Sequence, residues 1–284
     1  MSSDLLISAL LPDPSSASSK AILGEKAIVV SVVRDMRMYE RCVRANPCVN
    51  KNELVCLDNR KTNETVPKRY NAFIEGCDLT RDVWIMFCHE DFQLSEDLSR
   101  ALGMADRGVI YGPIGAVLVR RHRCFLGGLK RGNVVGLISE SDKSGVGCRE
   151  VGRLVPMGTR VDTVDCQCLL VHTSLLRRTG LRFDENLSFD LYAEDFCIQA
   201  LKTHGVLTCI LPLKCSHFSH GTLSDRFYRQ KDYLCAKHPD VEAMSCVGYM
   251  IGGGRFSIRR LQEKVRFFAG RHMKWLVRLY WKIA

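Results

Sequence analysis

The sequence has no apolar stretch near the length of about 18 residues that is needed to span a bilayer. Its early apolar run, at 5–11, follows Asp4 rather than a basic region, which is untypical of a signal peptide. No two of the 14 cysteines form a C-x-x-C pair, and most lie within apolar runs. Because free, buried thiols are used in this way in reducing compartments, we predict a cytoplasmic protein without a disulfide framework.

Charge is close to balanced everywhere except at the C-terminal end. Of the net charge of +10, residues 255–284 carry +8, from six arginines, three lysines and one glutamate. These bases alternate with aromatic and aliphatic residues at about helical spacing, which predicts a basic amphipathic extension. Two interpretations are open: a peripheral contact with a membrane surface, or a helix packed on its own domain. Nucleic acid is disfavoured because the charge is confined to one short end.

Strands and helices alternate in the first third of the chain. Apolar, partly β-branched runs at 27–33, 53–57 and 83–88 predict strands, of which the first and the third are expected to be buried. Helical spacing predicts helices at 35–45 and 66–77. This order predicts βαβ units, hence an α/β fold with a mainly parallel sheet flanked by helices. Polar residues follow each strand, at the edge where ligands gather in such sheets: Arg34 and Asp35, then Asp58 and Asn59, then His89, Glu90 and Asp91. A plain turn is the alternative interpretation of each group.

The middle of the chain has weaker patterns. Residues 95–104 are predicted to form a helix with Ser95 as its N-cap. Strands are predicted at 108–119 and 133–138, and the Gly-rich, basic segments 120–131 and 139–153 are predicted to be loops.

A second group of acidic residues and histidines follows about a hundred residues later. Asp165 precedes an apolar strand, and a short helix is predicted at 173–179. Glu194 and Asp195 open an amphipathic helix, where helix capping is the alternative to a catalytic role. A strand at 206–211 then leads on to His217.

In this order and spacing, the motifs resemble those of the GT-A glycosyltransferases, and most closely the family-2-like branch with an H-x-D metal motif. The motifs are L-D-N at 57–59, Y-N at 70–71, H-x-D at 89–91, V-D-x-x-D at 161–165, Y-x-x-D-F-C at 192–197 and H-x-S-x-G at 217–221. The resemblance covers about residues 27–238. Two residues depart from it: Ala193 replaces an acid, and Cys166 replaces a glycine.

The resemblance implies a GT-A-like, Rossmann-related fold and a metal-dependent, inverting transfer of a sugar. The donor would be a nucleotide-sugar, and the acceptor a hydroxyl of a glycan, a glycolipid or a protein-linked glycan. The implied roles are metal binding of Mn²⁺ or Mg²⁺ by His89, Asp91 and His217; the catalytic base at Asp195, with Glu194 as the alternative; acceptor or sugar binding at Asp165; and donor or nucleotide binding at Ser31, Asp58, Asn59, Asn71 and Glu90.

The chemistry of such a transfer requires these residue types. A nucleotide diphosphate leaves poorly until a hard cation neutralises its charge, and carboxylate and imidazole ligands can hold that cation. A histidine among the ligands favours Mn²⁺. A single carboxylate on the opposite face can take the proton of the attacking hydroxyl, and this arrangement inverts the anomeric centre.

Two rival hypotheses remain open from the sequence. One is a catalytically inactive protein of the same fold that binds a nucleotide or acts as a scaffold, which Ala193 favours. The other is a zinc protein, although the spacing of its ligands matches no common structural site; they would be Cys166, Cys168, Cys215, His217 and His220. The main interpretation predicts a flexible lead at 1–25, a GT-A-like catalytic domain at 26–240 and the basic amphipathic extension at 241–284.

Overall fold

The computed structural model describes residues 25–118, 134–219 and 223–252 of the 284-residue chain. The predicted lead before residue 25, the predicted loop 120–131, His220 and the basic segment 255–284 lie outside the described residues. In the described parts of the chain, no helix is both long enough and apolar enough to cross a membrane.

The described residues contain six helices and fifteen strands. The helices are α1 (Met36–Tyr39, continuing as a π-helix over Glu40–Arg44), α2 (Val66–Gly76), α3 (Leu98–Leu102), α4 (Thr173–Thr179), α5 (Tyr192–His204) and α6 (Asp225–Lys237). The strands are β1 (Ala27–Val33), β2 (Glu53–Asp58), β3 (Trp84–Cys88), β4 (Phe92–Leu94), β5 (Ile110–Gly112), β6 (Ile114–Ala116), β7 (Val134–Glu140), β8 (Arg149–Arg153), β9 (Arg160–Val161), β10 (Thr163–Val164), β11 (Cys168–His172), β12 (Thr208–Ile210), β13 (Cys215–His217), β14 (Glu242–Met244) and β15 (Met250–Gly252).

The central sheet has seven strands in the order β2-β1-β3-β11-β5-β12-β9. Strands β2, β1, β3, β5 and β12 run in one direction, whereas β11 and β9 run in the other. Every residue of β1 is buried, as expected of a β-branched run that is covered on both faces. The predicted α/β fold with a mixed, mainly parallel sheet flanked by helices is therefore confirmed.

The two faces of this sheet bury separate apolar cores. Ile28 and Val30 of β1 pack in one core with residues of α2, α4 and α5. Ala27 and Val29 point to the other core, which includes residues of α1 and α3. Because side chains alternate along a strand, the same run of β1 serves both cores.

A second, smaller sheet carries part of the candidate site. Its order is β10-β6-β7-β13-β4, and β8 pairs with β7. The antiparallel pairing of β4 with β13 sets Phe92 opposite His217. This register brings the end of β13 beside the residues that follow β3, which are far from it in sequence.

Three local predictions for the middle of the chain are wrong. The segment 139–153 contains strand β8, whose mostly exposed residues give no apolar alternation for a sequence pattern to detect. Helix α3 has Asp97 rather than Ser95 as its N-cap, because the Asp97 carboxylate accepts from the Ser99 amide. The predicted strand 108–119 is two short strands in different sheets, β5 and β6, separated by Pro113, which has no amide hydrogen to donate.

Residues 242–252 form a hairpin of β14 and β15 that packs against the main body of the fold. Ala243 and Ile251 belong to the same apolar core as α5. The Thr163 hydroxyl donates to the Met244 carbonyl over 2.6 Å. The hairpin is thus held by both apolar burial and a buried hydrogen bond.

The boundaries predicted for the lead, the main domain and the basic extension stay predictions.

Candidate functional site

Three side chains of types that can hold a metal ion meet beyond the carboxyl end of β3, and we refer to them as the metal-ligand group. His89, Asp91 and His217 each place one ligand atom within 4.8 Å of the others. His89 and Asp91 lie in the tight turn between β3 and β4, where the Phe92 amide donates to the His89 carbonyl. His217 arrives from β13. Within residues 25–118, 134–219 and 223–252, no other three histidine, cysteine or acidic side chains come together in this way.

The charges of these three side chains suit a divalent cation. Burial lowers the pKa of His89 to about 4, so its imidazole is neutral at pH 7. Burial raises the pKa of Asp91, but the neighbouring His217 and His89 outweigh this effect and the pKa lies below its ordinary value. For His217, burial lowers the pKa, and the Asp91 carboxylate outweighs it and leaves the pKa raised. Asp91 is therefore the anionic member of the group.

One ring nitrogen of the group, Nε2 of His217, has no hydrogen-bond partner. His217 Nε2 is buried and lies 3.2 Å from Asp91 Oδ1, yet it makes no hydrogen bond. Buried polar atoms without a partner are uncommon, and an ion that binds at the atom is one accepted explanation. Two imidazoles and a carboxylate are ligands that first-row divalent metals accept. The residues present therefore fit a metal ion of this kind.

The ring of His89 is held by neighbours from helix α5 and the loop before it. Its Nε2 lies 3.1 Å from the Tyr192 hydroxyl, which also donates to the Cys166 carbonyl over 2.7 Å. Phe189 stacks on the imidazole, with ring centroids 5.1 Å apart and an interplanar angle of 25°. These contacts fix the ring plane on two sides.

Helix α5 begins at a backbone conformation that non-glycine residues rarely adopt. Its N-cap, Leu191, has φ +62° and is buried. The left-handed region costs a residue with a side chain about 1–2 kcal/mol. Such outliers persist where the surrounding structure holds them, often next to functional groups. The first turn that follows contains Glu194 and Asp195.

The two adjacent carboxylates of α5 face different surroundings. Glu194 accepts a hydrogen bond from the Cys166 thiol over 3.2 Å. Burial, reinforced by the nearby Asp165 carboxylate, raises the pKa of Glu194 to about 8. Burial also raises the pKa of Asp165. A carboxyl group with a pKa near neutrality can exchange a proton at physiological pH.

Asp195 instead faces helix α6. It is fully buried, and it accepts from His238 Nε2 over 2.7 Å and from Lys237 Nζ over 2.9 Å. Gln199, one turn along α5, donates to the same carboxylate. Both oxygens of Asp195 are thus engaged by partners within the protein.

The residues predicted to bind the donor mostly have partners inside the protein. The Ser31 hydroxyl lies 3.3 Å from the Cys88 thiol, the Asn59 side chain bonds within the 59–64 loop, and Asn71 bonds to the backbone of Phe183. Their contact with a donor stays a prediction.

The remaining two predicted donor residues lie nearer the surface. The Asp58 carboxylate is exposed and pairs with Arg60 over 2.6 Å. Glu90 accepts from the Arg34 amide at the end of β1. Of the five residues predicted to bind the donor, Glu90 is the one that lines the cavity beside the metal-ligand group.

That cavity opens at the carboxyl ends of β1 and β3 and has a volume of about 70 Å³. It is lined by Val32, Arg34, Val66, Tyr70, His89, Glu90, Asp91 and Phe189. A larger cavity of about 460 Å³ lies between residues of β7, β13 and the loops near β4, and none of its lining residues belongs to the metal-ligand group. We assign the candidate site to the smaller cavity because His89 and Asp91, two of the three residues of the metal-ligand group, line it.

The zinc hypothesis finds no support in the described residues. The Cys166 thiol donates to Glu194, and Cys168 and Cys215 are buried in an apolar core. His217 groups with His89 and Asp91 instead, and His220 lies outside the described residues. All cysteines that the structure describes are free thiols.

Three further residues shape the site without having been predicted to do so: Tyr192, Phe189 and His238. Only Tyr192 carried a signal, as the first residue of the Y-x-x-D-F-C motif. Phe189 contacts His89, which is 100 residues away in the sequence, and His238 contacts Asp195, which is 43 residues away. No local pattern could predict these contacts.

Comparisons with known proteins give structural likenesses alone. No protein-family model and no curated protein matches the sequence. Similar solved structures include GalNAc-T7 with UDP, GalNAc and Mn²⁺ (8% identity, TM-score 0.42, 75% of this chain and 48% of that one). Others are A197 from STIV (15%, 0.40, 80% and 93%) and S. aureus TarS 1-349 in complex with UDP (13%, 0.39, 72% and 62%). The chain thus spans about half the length of GalNAc-T7.

Proposed function

We propose that the protein is a metal-dependent glycosyltransferase that moves a sugar from a nucleotide-sugar donor to an acceptor hydroxyl, with inversion. The observation that carries the proposal is the meeting of His89, Asp91 and His217 beside a buried carboxyl group of raised pKa. Cys166 links the two parts, because its carbonyl accepts from Tyr192 at His89 and its thiol donates to Glu194. A cation site next to a proton acceptor is what such a transfer needs.

His89, Asp91 and His217 would hold the cation. When bound, the cation supplies positive charge that neutralises the diphosphate leaving group. Mg²⁺ prefers oxygen ligands in near-octahedral geometry, whereas imidazole nitrogen is accepted more readily by Mn²⁺. Two histidines among three protein ligands therefore favour Mn²⁺, with Mg²⁺ as the alternative.

We assign the role of base to Glu194. A general base works best with a pKa near the working pH, and the pKa of Glu194 is raised to about 8 by burial. Asp195, where the resemblance puts the base, is held by His238, Lys237 and Gln199. Those partners would have to release the Asp195 carboxylate before it could take a proton.

Inversion follows from a single displacement in which one carboxylate takes the proton of the attacking hydroxyl, by the reasoning that applies to inverting glycosidases. Asp165 would bind the acceptor or the transferred sugar, because its half-buried carboxylate lies near enough to Glu194 to raise the pKa of that residue. The acceptor would be a glycan or a lipid-linked glycan. We further propose a cytoplasmic protein with peripheral membrane contact through 255–284.

The first experiment measures the thermal midpoint of the full chain with nucleoside diphosphates and nucleotide-sugars, each with and without Mn²⁺. A ligand at 100 times its Kd stabilises the native state by about 2.7 kcal/mol, so a clear rise is expected for one nucleotide and only with Mn²⁺. His217→Ala should remove the rise. The matched control is His204→Ala, at the exposed end of α5.

Three outcomes separate the hypotheses. A metal-dependent rise, followed by product formation with a donor of the same nucleotide, supports the transferase. The same rise with no transfer to any glycan acceptor indicates the inactive nucleotide-binding alternative. No rise with any nucleotide contradicts both and leaves the scaffold hypothesis.

A further inference from the structure

The Tyr192 hydroxyl lies between a carbonyl oxygen and a metal-ligand histidine. It is 2.7 Å from the Cys166 carbonyl oxygen and 3.1 Å from His89 Nε2. A hydroxyl has one hydrogen to donate, and a carbonyl oxygen can only accept. The hydroxyl hydrogen therefore points at Cys166, and the oxygen of Tyr192 is left as an acceptor towards His89.

An acceptor at this position selects one form of the His89 imidazole. In a neutral imidazole one nitrogen carries hydrogen and the other carries a lone pair. With Tyr192 accepting, Nε2 carries the hydrogen, and Nδ1 keeps the lone pair that a metal ion requires. A hydrogen bond of this kind to the far nitrogen fixes the tautomer and the orientation of a ligating histidine.

We infer that Tyr192 is a positioning residue that prepares His89 to bind the metal through Nδ1. This inference rests on the proposed function, and it adds a residue to which the resemblance gave no role of its own. Tyr192 belongs to the first turn of α5, as does Glu194, and both side chains bond to Cys166. The same turn therefore sets the ligand form of His89 and the place of the proposed base.

The packing around Tyr192 keeps the hydroxyl in this position. The residue is 1% exposed, and its ring meets those of Tyr70 and Phe183 edge-on at 5.9 Å and 5.7 Å. The His89 ring is restrained by Phe189 stacked on it. Neither ring can turn to exchange its partners without disturbing this aromatic cluster.

The test compares Mn²⁺ affinity, measured by calorimetry on the full chain, for the wild type, Tyr192→Phe and Tyr233→Phe. We expect Tyr192→Phe to weaken Mn²⁺ binding by about 10–100-fold, the usual effect of losing an outer-shell partner. Tyr233→Phe is the matched control, because its hydroxyl also donates a hydrogen bond over 2.7 Å, to Asp184, away from the metal-ligand group. It should change Mn²⁺ affinity by less than about two-fold, since Asp184 is not a proposed ligand.

A second measurement reads the tautomer without metal. In ¹⁵N-histidine spectra of the wild type, the His89 signals, identified by their loss in His89→Gln, should show hydrogen on Nε2. A spectrum with hydrogen on Nδ1 would overturn the inference, and so would a Tyr192→Phe protein that binds Mn²⁺ as tightly as the wild type. Tight Mn²⁺ binding with no sugar transfer would instead contradict the proposed function and leave this inference standing.

Discussion

Two histidine–aspartate pairs in this molecule have the same chemistry and different surroundings. His217 Nε2 lies 3.2 Å from Asp91 Oδ1, next to the small cavity. His238 Nε2, at the C-terminal end of helix α6, lies 2.7 Å from Asp195 Oδ1. Each histidine has one buried nitrogen without a hydrogen-bond partner, His217 Nε2 and His238 Nδ1, but among the described residues only the first pair has a third side chain, His89, that can join it in holding a metal ion. In the second pair, Lys237 and Gln199 add hydrogen bonds to the carboxylate.

The difference between the two pairs shows what distinguishes a ligand site from a structural anchor. Both pairs consist of one histidine and one aspartate, so residue type alone cannot distinguish their roles. Both oxygens of the Asp195 carboxylate accept hydrogen bonds from groups of the protein. Breaking such a buried pair lowers the free energy of unfolding. The pair of His217 and Asp91 keeps capacity for a partner that is not part of the chain.

The largest effect is expected for Asp91→Asn. Removing the only anionic ligand of the group should abolish Mn²⁺-dependent stabilisation and with it sugar transfer, because a neutral amide neither attracts the cation nor replaces the charge. Thermal unfolding with and without Mn²⁺ measures this. Asp240→Asn, in a surface pair with Lys202, is the control and should keep the shift. An unchanged shift in Asp91→Asn would place the cation elsewhere.

Glu194→Gln should lower the transfer rate by about 10²–10⁴-fold, the usual contribution of general acid–base catalysis. Mn²⁺ affinity should stay within a few-fold of the wild type, because Glu194 is not among the proposed ligands. Steady-state kinetics and calorimetry on the same preparations measure the two effects. Full activity in Glu194→Gln, with loss of activity in a stably folded Asp195→Asn, would return the role of base to Asp195.

Asp195→Asn should act on stability instead. Removing one partner of a buried ion pair costs about 3–5 kcal/mol, because the other partner is left without compensation. Urea unfolding of Asp195→Asn and of the control Asp240→Asn measures the difference. The control removes an exposed pair, for which about 0–1 kcal/mol is typical. Equal losses in the two variants would mean that Asp195 does not anchor α6.

We also expect a dependence of stability on pH that is due to Glu194. Its pKa is raised from 4.5 to about 8 by burial, so the folded state holds the proton more tightly than the unfolded state. The associated stability is complete below about pH 4.5 and is lost as the pH rises to about 8. Glu194→Gln should lack this loss, so its thermal midpoint should rise relative to the wild type between pH 5 and 8.

The control for this pH series is Glu75→Gln, on the exposed side of α2. Its midpoint should follow that of the wild type at every pH. A constant difference between Glu194→Gln and the wild type over this range would contradict the raised pKa.

Much of the fold could be predicted from local patterns. Strand β1 and helix α4 have the bounds that were predicted for them, 27–33 and 173–179. Helix α4 is followed by Gly180, its C-cap, with φ +66°. Strand β8 could not be predicted, because an edge strand with mostly exposed side chains has no alternation of polarity. Where partners are far apart in the chain, as for the hairpin 242–252 and Thr163, no local pattern records the contact.

The candidate site divides in the same way. The sequence by itself determined which residue types stand at the ends of strands, including His89 and Asp91 after β3, because strand ends follow from apolar runs. It could not choose between Glu194 and Asp195. Successive residues of a helix project about 100° apart, so each faces a different neighbour. Only the tertiary structure decided that one faces Cys166 and the other faces α6, because those neighbours are 28 and 43 residues away.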